Sequence, residues 1–239
     1  MADTPILTVE GLNVLYGDYQ VLWDVSMQVG QGEVVAVLGP NGSGKSTVLK
    51  AIMGLAPAKS GKVMFEGQDI TRVPTHEMVG LGIAMVLERR RLFSAMTVRE
   101  NVLLGAYHRS VSKEARNRLE WVESLFPILA ERRDQIAGKM SGGEQQMVAI
   151  ARSLMSKPRL LLMDEPYLGL SPRVVKQIGE IIKRINQDGV AVIFNEQNVQ
   201  LSFGLSNHGY LLEGGRVVLS GTGDEMIHSD VIRRVYLGV

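Results

Sequence analysis

The residue types best suited to chemistry lie in a glycine-rich stretch that runs from Gly39 to Ser46. It reads GPNGSGKS and matches the pattern G-x-x-x-x-G-K-[ST]. Glycines let a backbone curl so that successive N–H groups face one centre, and a helix starting at the end of the loop adds partial positive charge. Such a loop is suited to phosphate. We therefore predict that Lys45 reaches the β- and γ-phosphates of a nucleotide and that the Ser46 hydroxyl binds Mg²⁺.

A second chemical element is a pair of acids at the end of an apolar run. Asp164 and Glu165 directly follow the residues Leu160-Leu-Leu-Met163. We predict that Asp164 holds Mg²⁺ through a water molecule and that Glu165 polarises the attacking water as a general base. Taken alone, the same residues are also typical of a strand end capped by solvated acids. The phosphate loop elsewhere in the chain favours the chemical interpretation.

Strands and helices must position these two elements, and the apolar patterns predict an α/β fold. A strand over 33–38 precedes the phosphate loop, and a helix from Ser46 to Met53, ended by Gly54, follows it. Strand, loop and helix in this order indicate an α/β nucleotide fold rather than a glycine-rich turn that binds nothing. Further strands are predicted over 6–16, 21–29, 159–164 and 190–194. A strand pair with a turn at Gly67 is predicted over 61–70, and a hairpin over 209–221.

The middle of the chain is predicted to be mostly helical. Helices are expected from Thr97, whose spacing to Glu100 is that of a capping box, and over 113–126 and 141–156. Another begins at Ser171-Pro172. Composition does not shift enough to mark a separate domain. We therefore predict one domain over 1–239, with a helical subdomain at about 93–156 inserted in the core.

Composition excludes several classes of protein. The 239 residues include 26 Lys and Arg, 25 Asp and Glu, and no Cys, so disulfide scaffolds, thiolate zinc sites and cysteine nucleophiles are excluded. A formal charge of +1 excludes nucleic-acid binding by bulk electrostatics but leaves a local basic patch open. No basic segment followed by an apolar run suggests a signal peptide, and no stretch approaches the roughly 20 apolar residues of a membrane helix. We expect any role at a membrane to depend on a partner that spans it.

A third motif precedes the two acids by about twenty residues and reads Met-Ser-Gly-Gly-Glu-Gln-Gln over 140–146. From the residues alone, Ser141 and Glu144 form a capping box at the start of a helix. Together with the phosphate loop and the acids, however, the motif resembles the LSGGQ signature of the ABC-transporter ATPases. The resemblance implies a P-loop NTPase core with an N-terminal antiparallel β subdomain and an inserted helical subdomain. It also implies a head-to-tail pair of subunits, in which this loop closes over the γ-phosphate of ATP held by the opposite subunit.

Within that family the chain is similar to the ATP-binding subunits of branched-chain amino acid (Liv-type) importers. The similarity rests on SGGEQQM, LLMDEP followed by LGL, EQN at 196–198 and YLG at 236–238. It implies an ATPase at the cytoplasmic face of the membrane, with a related or identical second subunit, transmembrane permeases and, indirectly, a substrate-binding protein; nucleic acid is not expected. Relatives that serve urea or short amides look similar. Two further candidate functions are a non-transport ABC ATPase and a hydrolysis-impaired nucleotide-binding protein.

The resemblance also assigns roles to single residues. Tyr16 corresponds to an aromatic residue stacked on adenine, Glu88 to a loop residue that senses Mg²⁺, and Gln197 to the switch residue at the γ-phosphate. Each residue also has a non-functional interpretation: Tyr16 as a strand residue packed on the core, Glu88 as a solvated charge, and Gln197 as an amide at a strand end. With Glu165 and Lys45, Gln197 completes the predicted catalytic set, and Glu88 joins Ser46 and Asp164 as a predicted metal ligand. The predicted nucleotide-binding positions are Tyr16, Gly39, Pro40, Asn41, Gly42, Ser43, Gly44, Lys45, Ser46, Thr47, Glu88, Ser141, Gly142, Gly143, Glu144 and Asp164.

The chain departs from the Liv-type pattern at a few positions. Leu87 and Arg89 replace the usual Pro and Gly around Glu88, Tyr167 replaces a small Ser, and Asn195 replaces an apolar residue. Arg89 tolerates a positive φ poorly, so we expect an altered loop there. The fine geometry of the γ-phosphate site is also expected to differ.

Overall fold

The structure is a computed structural model that describes residues 4–229 and residue 232. The YLG motif at 236–238 lies outside these residues. The strands are β1 (Leu7–Tyr16), β2 (Tyr19–Val29), β3 (Val34–Leu38), β4 (Ala58–Phe65), β5 (Gln68–Asp69), β6 (Ile83–Val86), β7 (Leu160–Met163), β8 (Ala191–Glu196), β9 (His208–Glu213) and β10 (Arg216–Thr222).

The α-helices of the described residues are shorter and more numerous than the sequence patterns predict. They are α1 (Lys45–Ile52), α2 (Thr75–Leu81), α3 (Val98–Leu103), α4 (Arg109–Ser112), α5 (Ala115–Leu125), α6 (Pro127–Glu131), α7 (Gly142–Leu154), α8 (Pro172–Gln187), α9 (Val199–Phe203) and α10 (Gly223–Ile227). None of these helices is long and apolar enough to cross a membrane.

Two sheets carry the architecture. One has four antiparallel strands in the order β2-β1-β4-β5, and the other has six strands in the order β10-β9-β3-β8-β7-β6. Pairing is parallel from β9 through β6, and only β10 runs antiparallel to its neighbour. In parallel sheets, functional loops collect at the carboxyl ends of the strands. Strands β3, β7 and β8 are adjacent, so the phosphate loop, the two acids and the EQN segment meet at one edge. The α/β fold predicted from the sequence is confirmed.

The hydrophobic core has two parts, one on each face of the six-stranded sheet. Alternate β3 residues divide between them, since Val35 and Val37 pack toward α1 and the four-stranded sheet, whereas Ala36 and Leu38 pack toward the helices that follow β6. All five β3 residues are buried. A strand buried on both faces reads as a continuous apolar run, which is why 33–38 is recognisable in the sequence.

Helix starts follow their predicted caps. Thr97 and Ser141 both form complete capping boxes, in which the hydroxyl accepts from the backbone of Glu100 or Glu144 and that glutamate accepts from the cap backbone. Thr222 forms a third capping box, which was not predicted from the sequence. Helix α8 starts at Pro172 and buries Ile178, Ile181 and Ile185. The three capping boxes pair backbone N–H groups at the starts of α3, α7 and α10, whereas Ser171 makes no side-chain cap hydrogen bond at the start of α8.

The strand pair predicted over 61–70 is confirmed, since β4 and the two-residue β5 lie on either side of a turn at Glu66 and Gly67. Strand β4 begins earlier than predicted, at Ala58. The helix expected over 113–126 is α5 alone, preceded by the separate short α4. Helix α2 and strand β6 were not predicted at all. Strand β6 has four residues, too few for a periodic pattern, yet it forms the sheet edge beside β7. The helical subdomain boundary of 93–156 stays a prediction.

Candidate nucleotide-binding and hydrolysis site

The glycine-rich loop connects β3 to α1 in a conformation that other residues would not tolerate. Gly39, Gly42 and Gly44 have φ values of 155°, 80° and 103°. A Cβ on Gly39 would lie 2.4 Å from both the Leu212 carbonyl oxygen and the Ser43 hydroxyl. The backbone N–H of Gly215 also donates to the Ser43 carbonyl at 3.1 Å, so the β9–β10 turn supports the loop. The loop requires glycine at these positions because its backbone is tightly curled and, at Gly39 and Gly44, closely packed against its neighbours.

Lys45 is the buried cation of this loop. Its Nζ donates to the carbonyl oxygens of Gly39 at 2.9 Å and Pro40 at 3.0 Å. Burial lowers the pKa of Lys45, and the nearby carboxylates of Glu165, then Glu196 and Asp164, partly offset the effect. A lysine that loses hydration in this way gains from any anion brought close to it. A phosphate is the anion suited to such a loop at a helix N-terminus.

The predicted metal-binding pair is assembled across the sheet. The Ser46 hydroxyl donates to Asp164 Oδ1 at 2.7 Å, although 118 positions separate the residues in the chain. Asp164 Oδ2 is buried without a hydrogen-bond partner among the described residues. An unpaired buried carboxylate oxygen beside a hydroxyl is a donor set that suits Mg²⁺, which prefers oxygen ligands and retains water. Ser46 and Asp164 therefore fit the predicted ion.

Asn195 joins the metal-binding pair to the second acid. It is fully buried near the end of β8. Its Nδ2 donates to Asp164 Oδ1 at 2.6 Å and, more weakly, to the Ser46 hydroxyl at 3.3 Å. Its Oδ1 accepts from the backbone N–H of Glu165 at 2.5 Å. In the sequence, Asn195 stood out only as a departure from the family pattern, whereas in the structure it is the centre of a hydrogen-bond network.

Glu165 and Gln197 lie together, as their predicted roles require. Gln197 Nε2 donates to Glu165 Oε1 at 3.2 Å and to Asn41 Oδ1 at 2.7 Å. Glu165 has a φ of 48°, a conformation that costs a non-glycine residue roughly 1–2 kcal/mol. Strained backbone of this kind concentrates at functional sites. The arrangement brings a carboxylate and an amide to the loop that surrounds Lys45.

Two further buried polar groups lie next to this network. Glu196 Oε1 and the Tyr167 hydroxyl are both buried without a hydrogen-bond partner among the described residues. Burial raises the pKa of Glu196, and hydrogen bonds from backbone N–H groups, including that of Gln197, oppose the effect. Burial also raises the pKa of Tyr167, and the negative charge of Glu196 adds to that effect. Tyr167 therefore packs here as a buried, neutral phenol.

A cavity of about 500 Å³ opens beside the loop. Its lining includes the predicted residues Asn41, Lys45 and Glu165. The aromatic residues in the lining are Tyr19 and Trp23, and Tyr16 is not among them. Tyr16 is 48 % exposed at the end of β1, directly across the strand pair from Tyr19. Stacking of Tyr16 on adenine stays a prediction. The remaining lining residues are Gln20, Val21, Gly42, Gly44, Ser46, Thr47, Gly214 and Gly215.

Tyr19 and Trp23 are lining residues that were not predicted from the sequence. Both lie on β2, which follows the Gly17-Asp18 turn. The Trp23 backbone N–H donates to the Gly215 carbonyl at 2.9 Å, and this bond draws β2 toward the β9–β10 turn. In the sequence, Tyr16 and Tyr19 lie on either side of the Gly17-Asp18 turn, and nothing there indicates which of them reaches the phosphate loop.

The structure does not bring the Ser141–Glu144 segment together with the phosphate loop of the same chain. Ser141 and Glu144 line a separate cavity of about 840 Å³. The Glu144 carboxylate pairs with Arg132 at 3.0 Å. A Cβ on Gly142 would lie 2.9 Å from a guanidinium nitrogen of Arg90, and one on Gly143 would meet Val174. The roles of Ser141, Gly142, Gly143 and Glu144 toward a nucleotide stay predictions.

Glu88 lies two residues beyond β6, and its carboxylate pairs with the neighbouring Arg89 at 3.4 Å. Its predicted metal contact stays a prediction. The next three residues, Arg89, Arg90 and Arg91, all have positive φ, at 63°, 63° and 46°. The loop therefore follows a left-handed path through three arginines, a conformation that residues other than glycine tolerate poorly. The altered loop expected from the sequence stays a prediction.

Known proteins resemble this chain over nearly all of its length. The ABC transporter family profile matches residues 22–168. The chain is 43 % identical to the high-affinity branched-chain amino acid transport ATP-binding protein BraG of Pseudomonas aeruginosa, covering 98 % of this chain and 100 % of that protein. It is 38 % identical to the probable branched-chain amino acid transport ATP-binding protein LivF of Archaeoglobus fulgidus, covering 95 % and 97 %.

Other relatives have a different cargo. The lipopolysaccharide export system ATP-binding protein LptB of Escherichia coli is 32 % identical, covering 97 % of both chains.

Among solved structures, an ATP-binding cassette of an ABC transporter in its ADP conformation superposes on this chain with a TM-score of 0.88 at 27 % identity. The match covers 99 % of this chain and 100 % of that one. The chain therefore belongs to the ABC transporter family of ATP-binding cassettes, whose members hydrolyse ATP to power transport.

Proposed function

We propose that this protein is the ATP-hydrolysing subunit of an ABC importer that energises uptake of branched-chain amino acids. The observation that carries the hydrolytic part is the convergence of Lys45, the Ser46–Asp164 pair and the Glu165–Gln197 pair at one edge of the sheet. These groups supply a cation, a metal-binding pair and a carboxylate beside an amide. Phosphoryl transfer to water needs these components.

Each residue has a defined part in hydrolysis. Lys45 binds the β- and γ-phosphates, and the loop N–H groups orient them. Ser46 and Asp164 would hold Mg²⁺, which offsets the negative charge of the phosphate oxygens when bound. Glu165 accepts the proton of the attacking water, and Gln197, bonded to Glu165 Oε1, orients that carboxylate and contacts the γ-phosphate. Tyr16 and Glu88 are proposed as adenine and metal contacts, respectively.

The proposed assembly pairs two such subunits head to tail. Cassettes of this family work as dimers with transmembrane permease partners, and a solved ATP-binding cassette that superposes on this chain with a TM-score of 0.80 at 25 % identity is described as a dimeric post-hydrolysis state bound to ADP and Pi. In the proposed dimer, residues Ser141–Gly143 of one subunit contact the γ-phosphate held by the other. The permease partners place the protein at the cytoplasmic face of the membrane.

The proposal that the cargo is a branched-chain amino acid is based on the most similar relatives reported above. BraG and LivF are transport ATP-binding proteins for branched-chain amino acids, at 43 % and 38 % identity. LptB is described as a lipopolysaccharide export protein and is less similar, at 32 % identity. Import of a branched-chain amino acid is therefore the proposal, and an export function is the competing outcome.

The test is reconstitution. The protein would be purified with the permeases of a branched-chain amino acid importer from the same organism, placed in vesicles with that importer's substrate-binding protein, and supplied with labelled leucine and ATP. We expect leucine uptake coupled to phosphate release. Phosphate release without amino-acid uptake contradicts the cargo, whereas nucleotide binding without phosphate release identifies a hydrolysis-impaired subunit and contradicts the enzyme.

A further inference from the structure

The hydrogen bonds of Asn195 point to a function for this residue that its position in β8 alone does not explain. We propose that Asn195 is a positioning residue that holds the metal-binding carboxylate of Asp164 and the backbone of Glu165 as one unit. This role rests on the proposed hydrolytic function. Its consequence is that occupation of the metal-binding pair and alignment of the water-activating carboxylate depend on the same side chain.

Asn195 acts first on the carboxylate of Asp164. Asp164 Oδ1 accepts from Asn195 Nδ2 at 2.6 Å and from the Ser46 hydroxyl at 2.7 Å. Two donors on one oxygen fix the rotation of a carboxylate about its Cβ–Cγ bond. The other oxygen, Oδ2, is buried and has no hydrogen-bond partner among the described residues. Asn195 thereby determines which oxygen of Asp164 remains for the metal shell, as partners of ligating carboxylates commonly do.

The same side chain also restrains the backbone of Glu165. The Glu165 N–H donates to Asn195 Oδ1 at 2.5 Å, and the Glu165 φ of 48° is unfavourable for a glutamate. A conformation of this kind persists only where the surroundings hold it. The bond from Asn195 is one such restraint, and it acts directly on the residue whose carboxylate reaches Gln197.

Burial makes these bonds difficult to replace. Asn195 is fully buried, and both ends of its amide are used within this network. An apolar residue at this position would leave the Glu165 N–H without that acceptor and Asp164 with one donor fewer. Because buried polar groups are costly when unpaired, the local backbone would have to find another arrangement.

The test compares two variants of nearly equal volume. Asn195→Val removes all of these contacts, whereas Asn195→Thr has nearly the volume of valine and supplies one hydroxyl that can both donate and accept a hydrogen bond. Asn186→Val is the matched control, since Asn186 also donates two side-chain hydrogen bonds, to the Gly32 and Val190 carbonyls, away from the site. Each full-length variant is assayed with its permease for phosphate release, and alone for binding of a fluorescent ATP analogue in EDTA and in Mg²⁺.

We expect Asn195→Val to lower phosphate release about 10-fold and to reduce, by a similar factor, the gain in analogue affinity that Mg²⁺ produces. Binding in EDTA stays at the wild-type level, and Asn195→Thr recovers part of both losses. Asn186→Val lowers the melting temperature but changes neither functional measurement.

Wild-type phosphate release and Mg²⁺ gain in Asn195→Val would overturn the inference. An equal loss of analogue binding in EDTA and in Mg²⁺, or no difference between the Val and Thr variants, would also overturn it, because either result indicates a packing role. If the wild-type protein releases no phosphate, the proposed function fails instead. The Mg²⁺ gain still tests the inference in that case.

Discussion

The phosphate loop and the Ser141–Glu144 segment (the corner) are both predicted to contact ATP. Within one chain, other predicted site residues lie against the loop, whereas the corner lies apart from them. Around the loop, side chains with predicted roles bond to one another, as in the Ser46–Asp164 and Gln197–Glu165 contacts. At the corner, Ser141 and Glu144 bond to each other in a capping box. The same box occurs at Thr97 and Thr222, where no nucleotide role is expected.

This difference shows where the geometry of a shared site comes from. The loop side is fixed by contacts between β3, β7 and β8 within one subunit, so its arrangement exists before any partner binds. The corner has the geometry of an ordinary capped helix start, and its contact with a phosphate belongs to the proposed dimer, in which a second subunit presents that phosphate. We therefore expect changes on the two sides to have separable effects on nucleotide binding and on turnover.

Glu165→Gln is expected to give the largest effect. The amide keeps the volume of the side chain but cannot take a proton from water, so turnover should fall roughly 10²–10⁴-fold. Affinity for ATP should remain, because Lys45 and the loop are unchanged. Phosphate release and binding of a fluorescent analogue would measure the two quantities. Turnover at the wild-type rate would show that Glu165 is not the base.

Ser141→Ala tests whether the corner is more than a plain helix cap. Removing the cap should cost about 1 kcal/mol of unfolding free energy. Turnover should also fall, by about 10-fold or more, since one donor to the transition state is lost. Thr97→Ala, which breaks an equivalent capping box, is the control and should show only the loss of stability. Equal turnover in the two variants would reduce the corner to a helix cap.

Arg89→Gly probes the loop next to the corner with a smaller expected change. Arg89 has a φ of 63° and is exposed, and glycine relieves the strain of that conformation. We expect a gain of about 1 kcal/mol in unfolding free energy, measured by urea denaturation. The ion pair with Glu88 is on the surface, so its loss should contribute little. A clear destabilisation would mean that the arginine side chain stabilises the loop.

The smallest expected effect is a pH dependence of stability. Because burial raises the pKa of Glu196 above its ordinary value of 4.5, the folded state binds its proton more tightly. The contribution of this protonation to the free energy of unfolding is fully present below pH 4.5 and is lost as pH rises through the folded-state pKa. Glu196→Gln should flatten this fall in unfolding free energy, measured by denaturation from about pH 4 to about pH 8.

Glu225→Gln gives the opposite sign as a control. The Thr222 backbone N–H lowers the pKa of Glu225, so its contribution is present above the ordinary pKa and is lost as pH falls. Stability of the Glu225 variant should therefore depend less on pH at the acidic end. Identical pH profiles of the wild-type protein and the Glu196 variant would contradict the expected cost of burying that carboxylate.

Short-range patterns made much of the molecule predictable. The glycine loop, the apolar runs of β3 and β7 and the cap at Thr97 depend on residues within a few positions of one another. Other features depend on distant residues. Strand β6 has four residues and is recognisable only as a neighbour of β7, and the turn next to Tyr16 did not indicate that Tyr19 lines the cavity.

The sequence by itself identified the residues suited to nucleotide chemistry, because a curled glycine loop, a cationic lysine and strand-end acids are recognisable from local residue types. It did not determine that Asn195 would bond to Asp164 and to the Glu165 backbone. Those contacts join residues about thirty positions apart and exist only because β7 and β8 run parallel side by side. Tertiary structure decided them, since the pairing of parallel strands depends on long-range packing rather than on any local pattern.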